Sequence, residues 1–577
     1  MPVINISDFS GGRNTYDEQL MLADNQCATG SVNVWAPRKA LTKVAGTVLF
    51  ASFTATASSR AEWFAYEPGI ASAYTMYYRI HPAAGGGVNT GNHYPWASLA
   101  ATDSLTPLGY TTGTVSVSGA SLISATGSGT TWSTHVSAGD RFRVDASASS
   151  WYKVSSVEDN THLTLASALP SAAATGSAYM VQPAIGVVEV AHAALGGNLL
   201  MSVISDAVQI FDGTGMLRQT TQRVAFLQIF KNYMFGARTS TAESRLYWSA
   251  IKDPTSWPAA NFIDIDKDRG KITGLRAFGN ELIVFKNRGM FKVVGEVFDA
   301  SNPTYAVYQI TTPENFSFNN NKAVAEYKGD LLFLAERYVY AYRHGTNSIE
   351  RISKLWDGDI TRTPSDPNSV VGGSQRVSAI AFDGKWIIKT IDGNSTDCGF
   401  LDENGAWWLV RNEGSTAGEF EVSMMAVFQP ENAAAQLILG ENDAGRLFEW
   451  KLAPTGKTYE DQFIDSAINS GTKTAITATW LSKEFNVGYA HFRKAVIYLL
   501  KQAAGTLSFD WSIDQGSFVT NSVDMTVGRG QLIRRSLDIS QNGSTIQLRI
   551  KNSTVDQTFK VFGIQVFYDS IEEDRKA

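Results

Sequence analysis

Short apolar runs bounded by Gly, Asn and Asp recur along most of the chain, and apolar residues at helical spacing are rare. Such runs are typical of β-strands joined by tight turns. One form is repeated: a Gly or Lys turn, a polar residue, and then an aliphatic and aromatic strand. It occurs in GGNLLMSV from Gly196, FKNYMFGAR from Phe230, FGNELIVF from Phe278, YKGDLLFLA from Tyr327 and FDGKWIIKT from Phe382, with a related hairpin, QLILGENDAGRLFEW, from Gln436.

The spacing of these repeats predicts the fold. The turns at Gly279, Gly329 and Gly384 lie roughly 50 residues apart, which fits one four-stranded propeller blade per period, whereas β-helix repeats are far shorter. We therefore predict a mainly β protein with a β-propeller of six or seven blades in residues 183–453. Residues 1–111 are expected to hold an N-terminal segment and the first propeller strands.

Residues 112–182 differ in composition, being rich in Ser, Thr, Ala and Gly and poor in charge. Their alternating pattern predicts about six short strands in a small β-barrel or sandwich, inserted into an early blade loop. The predicted core of this domain consists of Val115, Val117, Leu122, Trp132, Phe142, Val144, Tyr152, Val154, Val157, Leu163, Leu165 and Tyr179.

Residues 454–577 carry the clearest alternation of the chain. It is seen in Leu507, Phe509, Trp511 and Ile513, and again in Ile546, Leu548 and Ile550. This spacing is typical of an antiparallel sheet with one buried face. We predict a C-terminal β-sandwich, followed by a mobile tail at IEEDRKA.

Composition narrows the possible functions. The 577 residues include 49 Lys and Arg against 55 Asp and Glu, a net charge of −6, which argues against a protein that grips nucleic acid over a broad surface. The two cysteines, Cys27 and Cys398, are too few for a zinc-thiolate cluster or a disulfide framework. The first residues lack the features of a signal peptide, and no apolar run approaches the ~20 residues of a membrane helix.

The N-terminal sequence INISDFSGGRNTYDEQLMLADNQCATGSVNVWAPRKALTKVAG resembles the opening of bacteriophage tail hub or nozzle proteins. The resemblance is carried by Asp8, Phe9, Gly11, Gly12, Asn14, Asn25, Gln26, Asn33, Val34, Lys43 and Gly46. A second similar stretch runs from Arg245 to Val293 and matches at Tyr247, Trp248, Ser249, Asp253, Pro254, Gly274, Leu275, Phe278 and Gly279. The inserted domain is also similar to a small β-module of phage tail proteins.

This resemblance implies a structural virion protein of a short-tailed phage tail. It implies a propeller nozzle or hub that forms a ring, expected to be a hexamer, below the head–tail adaptor. Genomic DNA would pass through the channel without specific binding, tail fibres or spikes would dock outside, and no membrane would be involved. A channel with mild negative charge would repel the phosphates of a duplex and let it slide.

The acidic cluster Asp264, Asp266 and Asp268 is the candidate metal site, because alternating carboxylates suit calcium. An EF-hand-like loop requires glycine where Arg269 stands and glutamate where Leu275 stands. The mismatch favours a solvated turn, and whether the cluster binds an ion stays open.

Two further patterns bear on glycan chemistry. GSGTTW, from Gly127 to Trp132, is similar to the sialidase aspartate box, yet it is expected to be a turn that packs Trp132 into the inserted domain. Acidic residues also lie near a tryptophan pair, although NGAWWLVR is typical of a blade strand with one Trp facing the core. That group consists of Glu403, Glu413, Glu419, Glu421, Trp407 and Trp408.

The leading hypothesis is the nozzle, located in the virion tail, with no catalytic residue, cofactor or metal. The alternative is a tail-associated protein that binds or degrades host glycans through Trp407, Trp408 and the nearby acids. A third is a non-viral propeller scaffold. The basic spots at His491 and Arg534 are expected to be solvated strand faces.

Overall fold

Nearly every regular element of the described residues is a β-strand, which confirms the mainly β fold class. The helical elements of these ranges are α1 (Trp132–His135) and three 3₁₀ segments, Pro37–Lys39, Lys267–Arg269 and Lys354–Asp359. The computed structural model describes residues 2–44, 47–51, 60–66, 76–81, 97–99, 105–107, 109–119, 121–144, 151–183, 191–202, 207–212, 216–218, 222–296, 304–359, 378–389, 398–410, 422–428, 434–441, 447–450, 466–469, 472–474, 476–502, 505–527, 531–554 and 557–571.

The N-terminal part of the chain contributes strands to three different sheets. Its strands are β1 (Val3–Ile6), β2 (Gly12–Arg13), β3 (Gln26–Cys27), β4 (Val34–Trp35), β5 (Leu41–Lys43), β6 (Thr47–Ala51), β7 (Arg60–Tyr66), β8 (Met76–His81), β9 (Ala97–Leu99) and β10 (Leu105–Pro107). The last four form a four-stranded antiparallel sheet by themselves.

The predicted β-propeller is confirmed: six four-stranded sheets form its blades, and each blade is a run of neighbouring antiparallel strands. The first three blades are β18 (Ala191–Leu195), β19 (Asn198–Ser202), β20 (Gln209–Phe211) and β21 (Met216–Arg218); β22 (Phe226–Phe230), β23 (Tyr233–Ala237), β24 (Arg245–Trp248) and β25 (Phe262–Asp264); and β26 (Ile272–Phe278), β27 (Glu281–Lys286), β28 (Gly289–Glu296) and β29 (Thr304–Ile310).

The other three blades follow in the same order along the chain. They are β30 (Val324–Tyr327), β31 (Asp330–Ala335), β32 (Tyr338–Arg343) and β33 (Ile349–Arg351); β34 (Ala379–Phe382), β35 (Lys385–Lys389), β36 (Cys398–Leu401) and β37 (Trp407–Val410); and β38 (Val422–Phe428), β39 (Gln436–Glu441) and β40 (Leu447–Trp450) with β6. The sixth blade is thus completed by a strand from the N-terminal part of the chain. The sheet β7–β10 lies beside this blade, with β7 against β38.

The repeated sequence form corresponds to one place in the blade. In the first five blades it covers the turn into the second strand and that strand itself, from β19 to β35, and QLILGE is β39. The predicted turns at Gly279, Gly329 and Gly384 all have positive φ. At the latter two, the preceding Lys328 and Asp383 have positive φ as well, as a two-residue type I′ hairpin turn requires.

Apolar side chains fill both faces of each blade because each face packs on a neighbouring blade. Along β27, Leu282 and Val284 join the core shared with the second blade, whereas Ile283 and Phe285 join the core shared with the fourth. The period of two along the strand therefore divides one apolar run between two cores. This explains why the second strands are almost continuously hydrophobic.

The inserted region forms a seven-stranded sheet of its own. All twelve predicted core residues belong to its hydrophobic cluster, eight of them buried and four partly buried. Its strands are β11 (Thr114–Val117), β12 (Ser124–Ser128), β13 (Arg141–Val144), β14 (Tyr152–Val157), β15 (His162–Leu165), β16 (Ala173–Ser177) and β17 (Tyr179–Gln182).

A buried ion pair fixes the inserted sheet to the first blade. Arg218, at the end of β21, donates from Nη2 to both carboxylate oxygens of Asp140 at 3.1 Å, and both side chains are almost fully buried. The backbone N–H of Arg218 also donates to Nδ1 of His135, whose ring stacks on Tyr110. This buried, charge-assisted pair therefore links the inserted sheet to the first blade.

The C-terminal strands form one ten-stranded sheet together with strands from the N terminus. Two of them are unusually long, with 23 and 21 residues. They are β43 (Ala478–Leu500) and β46 (Leu532–Asn552), accompanied by β44 (Thr506–Ile513), β45 (Val519–Asp524) and β47 (Lys560–Ser570); a separate hairpin consists of β41 (Ser466–Asn469) and β42 (Thr472–Thr474). The strands β1 and β5 pair with β47, and β3 pairs with β43.

The N-terminal segment, residues 2–44, contacts the propeller as well as the C-terminal strands with which it shares a sheet. Its backbone N–H at Asn33 donates to the carbonyl of Leu409 in the fifth blade at 2.9 Å. On the other side, Val32 and Thr479 of β43 exchange two backbone hydrogen bonds of 2.8 and 2.9 Å. These hydrogen bonds on both sides join the two parts of the molecule through the segment. No pattern in the sequence predicts this pairing.

Replacing Gly12 by Ala is expected to weaken this joint. Gly12 has φ +71°, and a Cβ there would lie 2.8 Å from the backbone N and O of Trp407. A positive φ costs a residue with a Cβ about 1–2 kcal/mol, and the contact with Trp407 adds to that cost. We expect a lower thermal unfolding midpoint for Gly12→Ala in circular dichroism.

The matched control is Gly405→Ala, in the hairpin before β37. Gly405 has φ +79°, and no atom lies within 4 Å of its hypothetical Cβ. It therefore incurs the conformational cost without the contact. If Gly12→Ala lowered the midpoint no more than Gly405→Ala, the close approach of the N-terminal segment to the fifth blade would be wrong.

Candidate functional site

The acidic cluster forms a turn whose carboxylates are paired with cations of the same chain. Asp264 accepts two hydrogen bonds from Arg245, at 2.7 and 3.1 Å, and lies 3.1 Å from Nζ of Lys267. These partners, Arg245 first, lower the pKa of Asp264 to about 2. Asp266 accepts from the backbone N–H of Asp268. The side chains thus stabilise a turn, as the sequence mismatch favoured.

A buried lysine lies directly behind this turn. Nζ of Lys286 donates to Oγ of Ser244 at 3.0 Å and to the carbonyls of Ile265 and Asp266. The side chain of Lys286 is fully buried, and this burial lowers its pKa to about 8. An ammonium group therefore lies where carbonyl oxygens converge. Among the described residues, no group of three or more His, Cys, Asp or Glu is arranged to hold a metal ion.

The tryptophan pair of the glycan hypothesis is buried on both sides of β37. Trp407 stacks on Trp356 with ring centroids 3.9 Å apart in the core between the fourth and fifth blades. Trp408 lies in the core shared with the sixth blade and the C-terminal sheet. The sequence predicted that one Trp faces the core, and in the structure both do. Neither ring offers a face to a sugar.

Of the four acids grouped with this pair, one lies within the described residues. Glu403 is exposed in the turn, while Glu413, Glu419 and Glu421 lie outside the described residues. The carboxylate that meets Trp408 is Asp402, which sequence reasoning missed. Its Oδ2 accepts from Nε1 of Trp408 at 2.9 Å, and its Oδ1 accepts from two backbone N–H groups of the turn.

Of the remaining sequence candidates, Trp132 and His491 have side-chain partners. Trp132 of GSGTTW is buried and donates to the hydroxyl of Tyr179 at 2.9 Å, as the core prediction required. His491 contacts the side chain of Asn542 on the neighbouring strand, and Arg534 is exposed. None of these residues lies in a common site.

The residues that carry the N-terminal resemblance lie at the joint between propeller and C-terminal sheet. Phe9 is buried and meets Trp480 edge to face with centroids 5.3 Å apart. Lys43 is fully buried, and its Nζ donates to the side chain of Asn552 and to two carbonyls of the loop before β47. The side chain of Asn33 donates to the carbonyl of Thr477 at 2.8 Å.

The second resembling stretch lies at joints between blades. Gly274 leaves room for Asn321, whose Oδ1 would lie 2.7 Å from a Cβ at Gly274 and accepts from the backbone N–H of Leu275. Gly279 likewise lies against the ring of His344 in the fourth blade. Both stretches therefore supply packing and hydrogen bonds that hold the fold together.

The axial cavity of the propeller has about 550 Å³ and was not anticipated from the sequence. It is lined by the first strands of the blades or by the residues just before them. Its polar and charged lining residues are His192, Gln228, Arg276, Lys322, Glu326 and Ser378. It is the candidate functional site, since pockets of this size with a few converging polar groups are typical binding sites.

The cations of this cavity are Arg276 and Lys322, and both lie near His192. Burial, followed by the charges of Lys322 and Arg276, lowers the pKa of His192 to about 3, so its imidazole is neutral at pH 7. Burial also lowers the pKa of Arg276. Nη2 of Arg276 donates to the carbonyl of Val324 at 2.8 Å. The site can therefore offer two cations and a neutral imidazole to one ligand.

One fixed position in the first strand of the blades identifies residues that line this cavity. Counting back two positions from the aromatic residue that ends the first strand gives Gln228, Arg276, Ala325, Ile380 and Ala426 in the second to sixth blades, and all five line the cavity. Arg276 is the charged member of this set.

No protein-family model and no curated relative matches this sequence. Among solved structures, the chain is similar to the N-terminal domain of Nup159 at 12% identity and a TM-score of 0.31, covering 59% of this chain and 96% of that one. It is also similar to an exo-β-1,3-galactanase from Phanerochaete chrysosporium at 12% identity and a TM-score of 0.23, covering 66% and 95%.

A third similar structure is the extracellular domain of BT4673 from B. thetaiotaomicron, at 10% identity and a TM-score of 0.36, covering 83% of this chain and 47% of that one. Because the identities are low and the TM-scores small, none of these similarities bears on the function of this chain. Among the described residues, none of the helices has the length and hydropathy to cross a lipid bilayer.

The buried ammonium of Lys286 predicts a specific pH dependence. Its pKa in the folded chain, about 8, lies below its ordinary value of 10.5. Between these values the unfolded chain binds the proton more strongly, so the contribution of Lys286 to stability rises with pH. The free energy of unfolding of the natural chain, minus that of Lys286→Met, should increase from about pH 7 to about pH 10.

Urea unfolding of both chains across this range measures the difference. The control is Lys551→Met, which removes a lysine from an exposed position of β46. A Lys286→Met difference that stayed flat over the same range would contradict the burial of a charged lysine behind the acidic turn.

Proposed function

We propose that this chain is a structural protein of a phage virion: the nozzle or hub of a short-tailed tail, assembled as a ring below the head–tail adaptor. The supporting observation is that residues carrying both resembling stretches lie at joints of the fold, such as Phe9 against Trp480 and Gly274 against Asn321. Residues that hold joints together are those that a scaffold requires.

The continuity of the core supports a load-carrying role. One hydrophobic cluster includes Ile387 and Phe400 of the fifth blade, Phe448 of the sixth, and Trp480 and Ile497 of the C-terminal sheet. Two parts that share a core of this kind have no solvated hinge between them. A ring that guides DNA under pressure requires subunits that keep their shape.

The charge of the chain is compatible with the passage of DNA. A duplex carries about one negative charge per 1.7 Å of its axis, so a broad basic surface would retain it. The net charge of −6 is compatible with sliding. The axial cavity of one propeller, at about 550 Å³, is too small for a duplex. In the proposed ring, the DNA channel therefore lies between subunits.

The partners follow from the same proposal. They are further copies of this chain, expected to form a hexamer, the head–tail adaptor, and tail fibres or spikes. The inserted sheet, held by the ion pair between Arg218 and Asp140, and the C-terminal sheet are the platforms offered to them. The proposal assigns no catalytic residue, cofactor or membrane contact. The glycan-binding alternative has no comparable support, because Trp407 and Trp408 are buried.

Negative-stain electron microscopy of the purified chain tests this proposal. We expect closed rings with an axial hole of roughly 20 Å, wide enough for a duplex, and subunit interfaces of about 2,000 Å² or more, as in obligate assemblies. The same preparation is mixed with the head–tail adaptor of its phage, and co-migration of the two is expected. A strict monomer that also fails to bind the adaptor would contradict the proposal, and release of reducing sugar from host glycans would favour the alternative.

A further inference from the structure

We propose that the axial cavity of the propeller binds a small phosphate-class oxyanion, held by Arg276 and Lys322 with help from Gln228 and Ser378. Nothing in the nozzle proposal requires such a site. It follows from the residues that the blades bring together around the axis.

Arg276 is the charged residue among those at the cavity-facing position of the second to sixth blades. It stands at the cavity-facing position of the third blade, where the fourth, fifth and sixth blades have Ala325, Ile380 and Ala426. Small and apolar side chains at this position need no partner. A guanidinium there loses part of its hydration, and this cost is offset only if it meets hydrogen-bond acceptors.

The hydrogen bonds of Arg276 satisfy part of this requirement. Nη2 donates to the carbonyl of Val324 at 2.8 Å, which fixes the plane of the guanidinium. Nε is buried and, within the described part of the chain, has no hydrogen-bond partner. The residue as a whole is half-buried and lines the cavity, so an oxyanion there can accept from the accessible N–H groups of the guanidinium. Arginine suits this role because its N–H groups match the spacing of phosphate or carboxylate oxygens.

The groups around Arg276 indicate the class of ligand. Lys322 adds a second positive charge, and both cations lie close enough to His192 to lower its pKa. Gln228 and Ser378 provide neutral donors, and Glu326 brings one exposed carboxylate to the lining. The two cations outnumber the one carboxylate, and together with the neutral donors they favour a compact oxyanion, including a dianion that offers several acceptor oxygens. Phosphate and phosphate esters are such dianions near neutral pH.

The size of the cavity limits the ligand further. A volume of about 550 Å³ falls within the range of small-molecule pockets and admits a free phosphate or a sugar phosphate. It excludes a nucleic-acid duplex. The shared chemistry is thus a phosphoryl group, either free or carried by a small organic molecule.

Isothermal titration calorimetry on the full chain tests this inference, at constant ionic strength in chloride buffer. The probes are inorganic phosphate, glucose 6-phosphate and citrate. We expect phosphate or the sugar phosphate to bind the natural chain. Arg276→Gln should weaken that binding by roughly tenfold or more, since it removes a charge-assisted hydrogen bond. Tighter binding of glucose 6-phosphate than of phosphate would identify an ester as the ligand.

The control is Arg343→Gln, which removes the same charge from a mostly exposed position on β32, outside the cavity. It should bind as the natural chain does. If Arg276→Gln does not fold, Lys322→Gln replaces it, with the same loss expected. The inference is wrong if neither phosphate nor the sugar phosphate binds at about 10 mM, if citrate alone binds, or if the cavity variant binds as tightly as Arg343→Gln.

Discussion

The backbone N–H and C=O groups of the N-terminal segment need hydrogen-bond partners in both the propeller and the C-terminal sheet. The arrangement of the whole molecule depends on this constraint. Asn33 is hydrogen-bonded to Leu409 of the propeller, while Val32 is hydrogen-bonded to Thr479 of the C-terminal sheet. A buried N–H or C=O left without a partner costs about 1–3 kcal/mol. Separating the two parts would break these hydrogen bonds, together with the one from the N–H of Thr15 to the carbonyl of Leu355. The propeller and the C-terminal sheet therefore behave as one body.

Side-chain packing also connects the propeller with the C-terminal sheet. Trp407 and Trp408 are adjacent in β37, yet one closes the core between two blades and the other closes the core that continues into the C-terminal sheet. Asp402 anchors the hairpin before them through the indole of Trp408. At the same place, Gly12 lets the N-terminal segment approach β37 closely. The fifth blade is thus where local hairpin structure and long-range assembly meet.

Local patterns in the sequence predicted what is local in the structure. The repeat found the second strand of each blade, and alternation found the inserted core from Val115 to Tyr179, because both depend on neighbours within one sheet. The pairing of β1 with β47 joins opposite ends of the chain and leaves no local signature. Lys286 lies about 20 residues beyond the acidic turn that it contacts, and Arg276 becomes notable only once the blades share an axis.

Hydrogen exchange under increasing denaturant, followed by mass spectrometry, tests the central claim that the propeller and the C-terminal sheet form one body. Cooperative units open together with a common free energy. Peptides from the N-terminal segment, from β37 and from β43 should therefore lose protection at the same denaturant concentration and with the same slope. Loss of protection in β43 and the N-terminal segment at a clearly lower concentration, while β37 stays protected, would contradict the account.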